Sequence, residues 1–221
     1  MKNTVLALLA VMLFSSCSKE RAPQQIYDNP KIGLRMTYPR SWRVMKQEDV
    51  DDAIAQSEEK TLTLPPESFD AYRETVPYIV LSLMKPHKIN GADHNPNINV
   101  GVFEIPEDQR DDVDVDSIMQ EQIADLESLS SPPPKVTIND FPLPDYPNVH
   151  NYSVRVRLPG RVATVYQYAY WHAPFFVQIG FTFSHPDVEQ EVKAIITTMK
   201  IKTSNKTPRR TRKDRPAELK R

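Results

Sequence analysis

Acidic side chains crowd the stretch 104–127, which holds ten carboxylates against the single base Arg110. Three of them alternate in the segment Asp-Val-Asp-Val-Asp at 112–116, and oxygen ligands at positions one, three and five begin a calcium-binding loop. The rest of such a loop is missing, because Ser117 stands where the turn needs glycine and Ile123 where a bidentate glutamate is needed. The pattern therefore favours a solvated loop whose aspartates stabilise the start of a helix, with calcium binding as the weaker alternative.

Histidines are the other side chains that could bind a metal ion. His87 and His94 are near neighbours, but their spacing of seven residues in a loop rich in Pro and Asn fits neither a helical nor a hairpin ligand pair. His172 follows Trp171 and is expected to pack at a turn, while His185 precedes a proline and is expected to begin a helix. The fifth is His150. We expect no metal site and no cofactor.

Glycine and cysteine positions exclude several enzyme classes. The five glycines are at least ten residues apart, so the chain contains no GxGxxG or GxxxxGK phosphate loop and no GxSxG nucleophile elbow. Its one cysteine excludes an internal disulfide, a CxxC redox pair and a zinc site with two thiolates. No serine lies in a recognisable activating frame. We therefore expect no catalytic residues.

The amino terminus has the pattern of an export signal. Lys2 is followed by ten unbroken apolar residues at 5–14 and then by Ser15, Ser16 and Cys17. A helix of ten residues is about 15 Å long, which is half of a bilayer core of about 30 Å. The apolar run is too short to be a membrane span, and its flanks are those of a cleaved signal peptide.

The position of Cys17 resembles the lipobox of bacterial lipoproteins, although Phe14 stands where that motif usually has leucine. The resemblance implies a signal peptide over 1–16, cleavage between Ser16 and Cys17, a diacylglyceryl group on the thiol and an acyl group on the new amino terminus. Ser18, in place of aspartate, favours the outer membrane over the inner one. The alternative is an ordinary cleaved signal with an incidental cysteine.

Both flanks of the remaining chain are polar. Residues 17–29 are predicted to be a tether, 30–201 the folded domain, and 202–221 a disordered tail with nine bases and two acids. The formal net charge of −1 therefore combines an acidic domain with a basic tail. The tail either contacts an anionic envelope surface or only adds solubility. We expect no nucleic acid partner, because the export signal places the chain outside the cytoplasm.

Apolar periodicity within 30–201 predicts an α+β domain, an antiparallel β-sheet covered by helices. Segments 151–158, 161–170 and 175–183 are predicted to form three consecutive antiparallel strands, and helical spacing predicts helices over about 116–129 and 187–200. Earlier strands are predicted at 33–38, 42–45, 78–84 and 97–104.

Three tyrosines, Tyr166, Tyr168 and Tyr170, fall on one face of a predicted strand. A face of this kind can line a ligand groove, because each ring combines a large apolar area with a polar tip. Packing beneath a helix is the favoured alternative.

The segment 27–44, Y-D-N-P-K-I-G-L-R-M-T-Y-P-R-S-W-R-V, resembles the Y-G-F-x-x-x-Y-P-x-x-W-x-V opening of PsbP-like domains and of DcrB-type bacterial lipoproteins. In physical terms, Leu34 and Met36 point inward from a strand, a turn follows, and Trp42 anchors the core at the start of the next strand. The order of later elements across 26–201 is also similar. The resemblance implies an α/β/α sandwich, and it transfers no catalytic residue.

These patterns together predict a bacterial envelope protein that faces the periplasm and is held to the membrane through lipidated Cys17. Its domain is predicted to be a non-enzymatic binding or assembly module with an unknown protein partner. Two alternatives stay open: a periplasmic binder of a small ligand or metal ion, and, third, a hydrolase.

Overall fold

A computed structural model describes residues 23–46, 48–49, 78–86, 88–89, 92–93, 95–128, 133–158 and 161–204. Within these ranges no helix has both the length and the apolar character that a bilayer crossing requires.

The centre of the fold is a seven-stranded sheet in which every neighbouring pair is antiparallel. The spatial order of its strands is β3-β4-β7-β11-β10-β9-β8. The bounds are β3 Arg43–Val44, β4 Tyr78–Met84, β7 Asn97–Glu104, β8 Lys135–Ile138, β9 His150–Leu158, β10 Arg161–His172 and β11 Phe175–Phe183.

A smaller sheet of three antiparallel strands has the order β1-β2-β12. Its strands are β1 Gln24–Asn29, β2 Leu34–Pro39 and β12 Lys200–Ile201. Two further short strands, β5 Lys88–Ile89 and β6 Ala92–Asp93, pair with each other.

Two α-helices and one 3-10 helix have their bounds within the described residues. The 3-10 helix Glu107–Asp112 follows β7, and helix α1 Val115–Ser128 comes directly after it. Helix α2 Pro186–Ile196 begins with a proline, which suits the first turn because the missing N–H would have no helical partner there.

One face of the large sheet packs against α2 and the small sheet. The strand register aligns four residues in one row across neighbouring strands: Leu81, Val100, Ile179 and Tyr168. All four are buried in the hydrophobic core. Helix α2 covers this face with residues at helical spacing, because turns of 3.6 residues bring them onto one stripe. They are Val188, Val192, Ile195 and Ile196.

The opposite face packs against α1. Val115 and Met119 of the helix join Trp171 and Phe176 of the sheet in a second core cluster. A polar contact adds to it, because the side-chain amide of Gln178 donates to Gln122 of α1 at 2.8 Å. Since one face carries α2 and the other α1, the predicted α+β class, a sheet covered by helices, is confirmed.

The chain enters and leaves the described domain at opposite ends of the small sheet. Arg40 N–H donates to the carbonyl of Pro23 at 2.9 Å, and Lys202 N–H donates to the carbonyl of Gly33 at 2.8 Å. β2 separates these two points with six residues, which span about 20 Å at about 3.3 Å per residue.

Several predicted boundaries were wrong. The predicted tether 17–29 is shortened at its carboxyl side, because residues 24–29 form β1 and pair with β2. Residues 202–204, which were assigned to the predicted tail, contact the domain, since Ser204 N–H donates to Trp171 O at 3.0 Å. The second helix ends at Ile196 and not near 200, because the Thr198 hydroxyl bonds to Ile195 O and to Thr37 of β2.

Gly33 occupies a position that only glycine suits. Its φ is +65°, and a Cβ there would lie 2.5 Å from the backbone oxygen of Lys202 and 2.8 Å from His172 Nδ1. A left-handed backbone is unfavourable for other L-residues, and the oxygen belongs to a backbone that is itself hydrogen-bonded to Gly33.

We expect Gly33→Ala to lower the free energy of unfolding by about 3 kcal/mol, from the strained φ and the forced backbone shift together. The matched control is Gly180→Ala, because there a Cβ meets only the end of the Gln167 side chain at 3.1 Å; its cost should stay below about 1 kcal/mol. Urea denaturation measures both. Equal losses in the two variants would contradict this account.

Candidate functional site

Several residues that sequence reasoning singled out lie outside the described residues. These are Cys17 and Ser16 with the whole predicted signal peptide 1–16, the loop histidines His87 and His94, and the tail from 205 onward. The lipidation and cleavage sites therefore stay predictions.

The three tyrosines of β10 pack in the core, as the favoured alternative predicted. Tyr168 and Tyr170 are 0% exposed and Tyr166 is 3% exposed. Each hydroxyl donates one hydrogen bond: Tyr168 to Phe141 O at 2.7 Å, Tyr170 to Ile32 O at 2.9 Å, and Tyr166 to Glu189 at 2.7 Å. They do not line a ligand groove.

The described histidines have structural contacts. His150 Nδ1 lies 2.6 Å from the carboxylate of Asp116 in the first turn of α1, and His185 caps α2 by accepting from Asp187 N–H at 3.3 Å. His172 Nδ1 lies 2.7 Å from Lys202 O; because a carbonyl only accepts, this nitrogen carries the proton. Across the described ranges no three His, Cys, Asp or Glu side chains converge as a metal site would require.

Helix α2 is fastened to the sheet on one flank by a cluster of Tyr166, Glu189 and Lys193. The Glu189 carboxylate accepts from Tyr166 and lies 2.8 Å from Lys193 Nζ, one helical turn away. The same Nζ lies 5.5 Å from the centre of the Phe141 ring and 5.7 Å from that of Tyr166. The cation is therefore held between a carboxylate and two aromatic faces.

The protonation equilibria of this cluster are displaced away from neutral pH. Burial, with the hydrogen bond to Glu189, raises the pKa of Tyr166 to about 12. The hydrogen bond from Lys193 lowers the pKa of Glu189, and the same bond raises the pKa of Lys193. A general acid or base works best with a pKa near the operating pH. The cluster is thus suited to holding the helix and poorly suited to proton transfer.

The opposite flank of α2 is fastened through Glu191. Its carboxylate accepts from the indole N–H of Trp42 at 2.7 Å and forms an ion pair with Lys85. Trp42 is fully buried, so this bond satisfies a donor that water cannot reach.

Three cations form an exposed patch that we call the basic corner: Lys135 of β8 with Arg155 and Arg157 of β9. Lys135 and Arg155 are directly opposite each other in the strand register. Arg157 lies two residues further on and points to the same side, because side chains alternate along a strand. Sequence reasoning missed this patch because β8 was not predicted. The sequence does contain a signal for β8, because polar and apolar residues alternate over Lys135–Ile138 directly after three prolines.

Burial of the tyrosines makes stability sensitive to alkaline pH. It raises the pKa of both Tyr152 and Tyr166 from 10 to about 12. A raised folded pKa stabilises the protein fully below the unfolded value, and this stabilisation disappears as the pH rises through the folded value. We expect the free energy of unfolding to fall from about pH 10 upward, with a shallower fall in Tyr152→Phe and Tyr166→Phe. Urea denaturation at stepped pH measures the free energy of unfolding. If this free energy falls as steeply with pH in both variants as in the unchanged protein, the expectation is contradicted.

No family model matches the chain, and no curated protein sequence is similar to it. Solved structures with a similar chain path exist. The cyanobacterial PsbP protein CyanoP of Synechocystis has a TM-score of 0.45 and 12% identity, covering 86% of this chain and 99% of that one. The Ran-binding protein Mog1p of Saccharomyces cerevisiae has a TM-score of 0.42 and 10% identity, covering 81% and 96%.

A third similar structure, from Bacteroides thetaiotaomicron, has a TM-score of 0.40 and 9% identity. It covers 83% of this chain, which in turn spans 49% of that longer protein. Similarities at this level assign no activity and no partner to this chain.

Proposed function

We propose that this chain is a lipid-anchored protein of the bacterial envelope whose domain serves as a non-enzymatic binding or assembly module. The observation that carries the proposal is the apolar run 5–14 followed directly by Ser15, Ser16 and Cys17. Two or three acyl chains on Cys17 make a stable attachment, whereas a single chain gives only marginal binding. Ser18 favours the outer membrane, with the domain facing the periplasm.

The distance between anchor and domain supports a role close to the membrane. Strand β1 begins at Gln24, seven residues after Cys17. A chain of seven residues spans at most about 25 Å when fully extended. The domain of an anchored molecule therefore stays near the lipid surface, where its exposed faces meet the membrane and other envelope components.

The chemistry of the described side chains supports a module and not a catalyst. The polar groups around α2 are hydrogen-bonded to one another, and the pKa values of Tyr166, Glu189 and Lys193 are displaced away from neutrality. Exposed side chains at strand ends and edges, such as the basic corner, Val162 and Ile138, are then the groups available to a partner.

The anchor is tested by mass spectrometry of the mature amino terminus from membranes of a lipoprotein-processing bacterium. We expect the chain to begin at Cys17 with a diacylglyceryl and an acyl group. Cys17→Ser should leave the signal uncleaved by the lipoprotein peptidase and abolish acylation, while the matched substitution Ser18→Ala should leave both unchanged. An unmodified Cys17, or cleavage at another bond, contradicts the proposal.

The module is tested by crosslinking the lipidated protein in living cells and identifying the products by mass spectrometry. We expect one reproducible protein partner across growth conditions, enriched over the Cys17→Ser form. The absence of any partner would count against an assembly role. A rise in melting temperature with a metal ion or a metabolite would favour a ligand-binding protein instead, because a ligand that binds only the folded state stabilises it.

A further inference from the structure

The basic corner places three like charges next to one another on one face of the large sheet. Lys135 and Arg155 are directly opposite, and like charges in that position destabilise a strand pair. Within the described part of the chain, none of Lys135, Arg155 and Arg157 belongs to an ion pair. Besides the hydrogen bond from Lys193, the charge of Arg155 contributes to lowering the pKa of Glu189. That carboxylate, however, already binds Lys193 and Tyr166. A surface with this repulsion is suited to an anionic partner outside the molecule.

The basic corner lies at the end of the sheet where the chain arrives from Cys17. The carbonyl of Pro23 accepts a hydrogen bond from Arg40 N–H. Arg43 follows Arg40 by three residues and lies opposite Met84 in the strand register. The register continues from Met84 across four more strands to Val154, the residue before Arg155. At about 4.8 Å per strand this crossing is about 19 Å wide. Pro23, the first described residue, and the basic corner therefore lie at the same end of the domain.

An exposed apolar side chain lies beside the cations. Val162 is directly opposite Arg157 and is 48% exposed. Cations flanking an apolar group suit the headgroup region of a bilayer, where charge meets anionic lipid and apolar atoms leave water.

We propose that the basic corner rests on the anionic headgroups of the membrane that holds the anchor. The proposal deepens the proposed function, because it depends on the lipid anchor to bring that surface within reach. It fixes the orientation of the domain: the end with the basic corner faces the membrane. The end with Glu104 and the acids of the 3-10 helix then faces away.

Two other occupants fit less well. The residues after Ser204 are themselves basic, and Ser204, the last described residue, bonds to Trp171 and Ala173 at the other end of β10. The acidic end of a second copy has complementary charge. Two copies anchored in one membrane, however, have the same orientation, which keeps the acidic end of one away from the basic corner of the other.

The test measures binding of residues 17–221 carrying Cys17→Ser to vesicles of phosphatidylcholine with and without phosphatidylglycerol. Without acyl chains the result does not depend on lipidation. We expect binding to the anionic vesicles to fall about 25-fold in Arg155→Gln/Arg157→Gln, at about fivefold for each neutralised base, and to weaken with salt. The matched control is Lys31→Gln/Lys200→Gln, which removes two exposed bases at the other end and should change binding less than twofold.

Equal binding by the two double variants overturns the proposal, and so does equal binding to neutral vesicles. A concentration-dependent dimer that Arg155→Gln/Arg157→Gln abolishes, with vesicle binding unchanged, assigns the basic corner to a second copy and also overturns it. Thermal unfolding checks the fold, and removing like charges should not lower the melting temperature. Lys135→Gln on β8 is the independent variant, with an expected loss of about fivefold.

Discussion

The hydrogen bond between Trp42 and Glu191 joins parts of the chain that are 149 residues apart. Trp42 follows β2 and precedes β3, so it stands where the chain passes from the small sheet to the large one. Its ring fills the space beneath α2, and its one polar atom finds the carboxylate on that helix. Because Glu191 also binds Lys85 after β4, a single side chain of α2 ties both sheets to the helix.

On the other flank of α2, another carboxylate of the helix binds a polar group of the sheet. Glu189 and Lys193 are one turn apart, with the acid toward the helix amino terminus, the favourable order for such pairs. Tyr166 adds a hydroxyl from the sheet. The apolar stripe of the helix faces the sheet, and it has a polar contact on each side.

Much of this fold could be predicted from the sequence because apolar periodicity reports directly on burial. The strands 78–84, 97–104 and 175–183 coincide with β4, β7 and β11. Edge strands such as β1 and β8 were missed, since none of their residues is fully buried. The Trp42–Glu191 bond and the Lys135–Arg155 juxtaposition could not be predicted either. Each depends on a pairing of distant segments, which no local pattern of residues specifies.

The described chain enters the small sheet at one end and leaves it at the other, and this arrangement determines how the domain would respond to a pulling force. β1 and β12 run in the same direction on either side of β2. The chain enters at the start of β1 and leaves at the end of β12. A pull between an anchored amino terminus and a held carboxyl terminus would slide both strands along β2 in opposite senses. That geometry loads the hydrogen bonds of each ladder together, in shear, instead of opening them one at a time. The small sheet is then the element that bears tension across the domain.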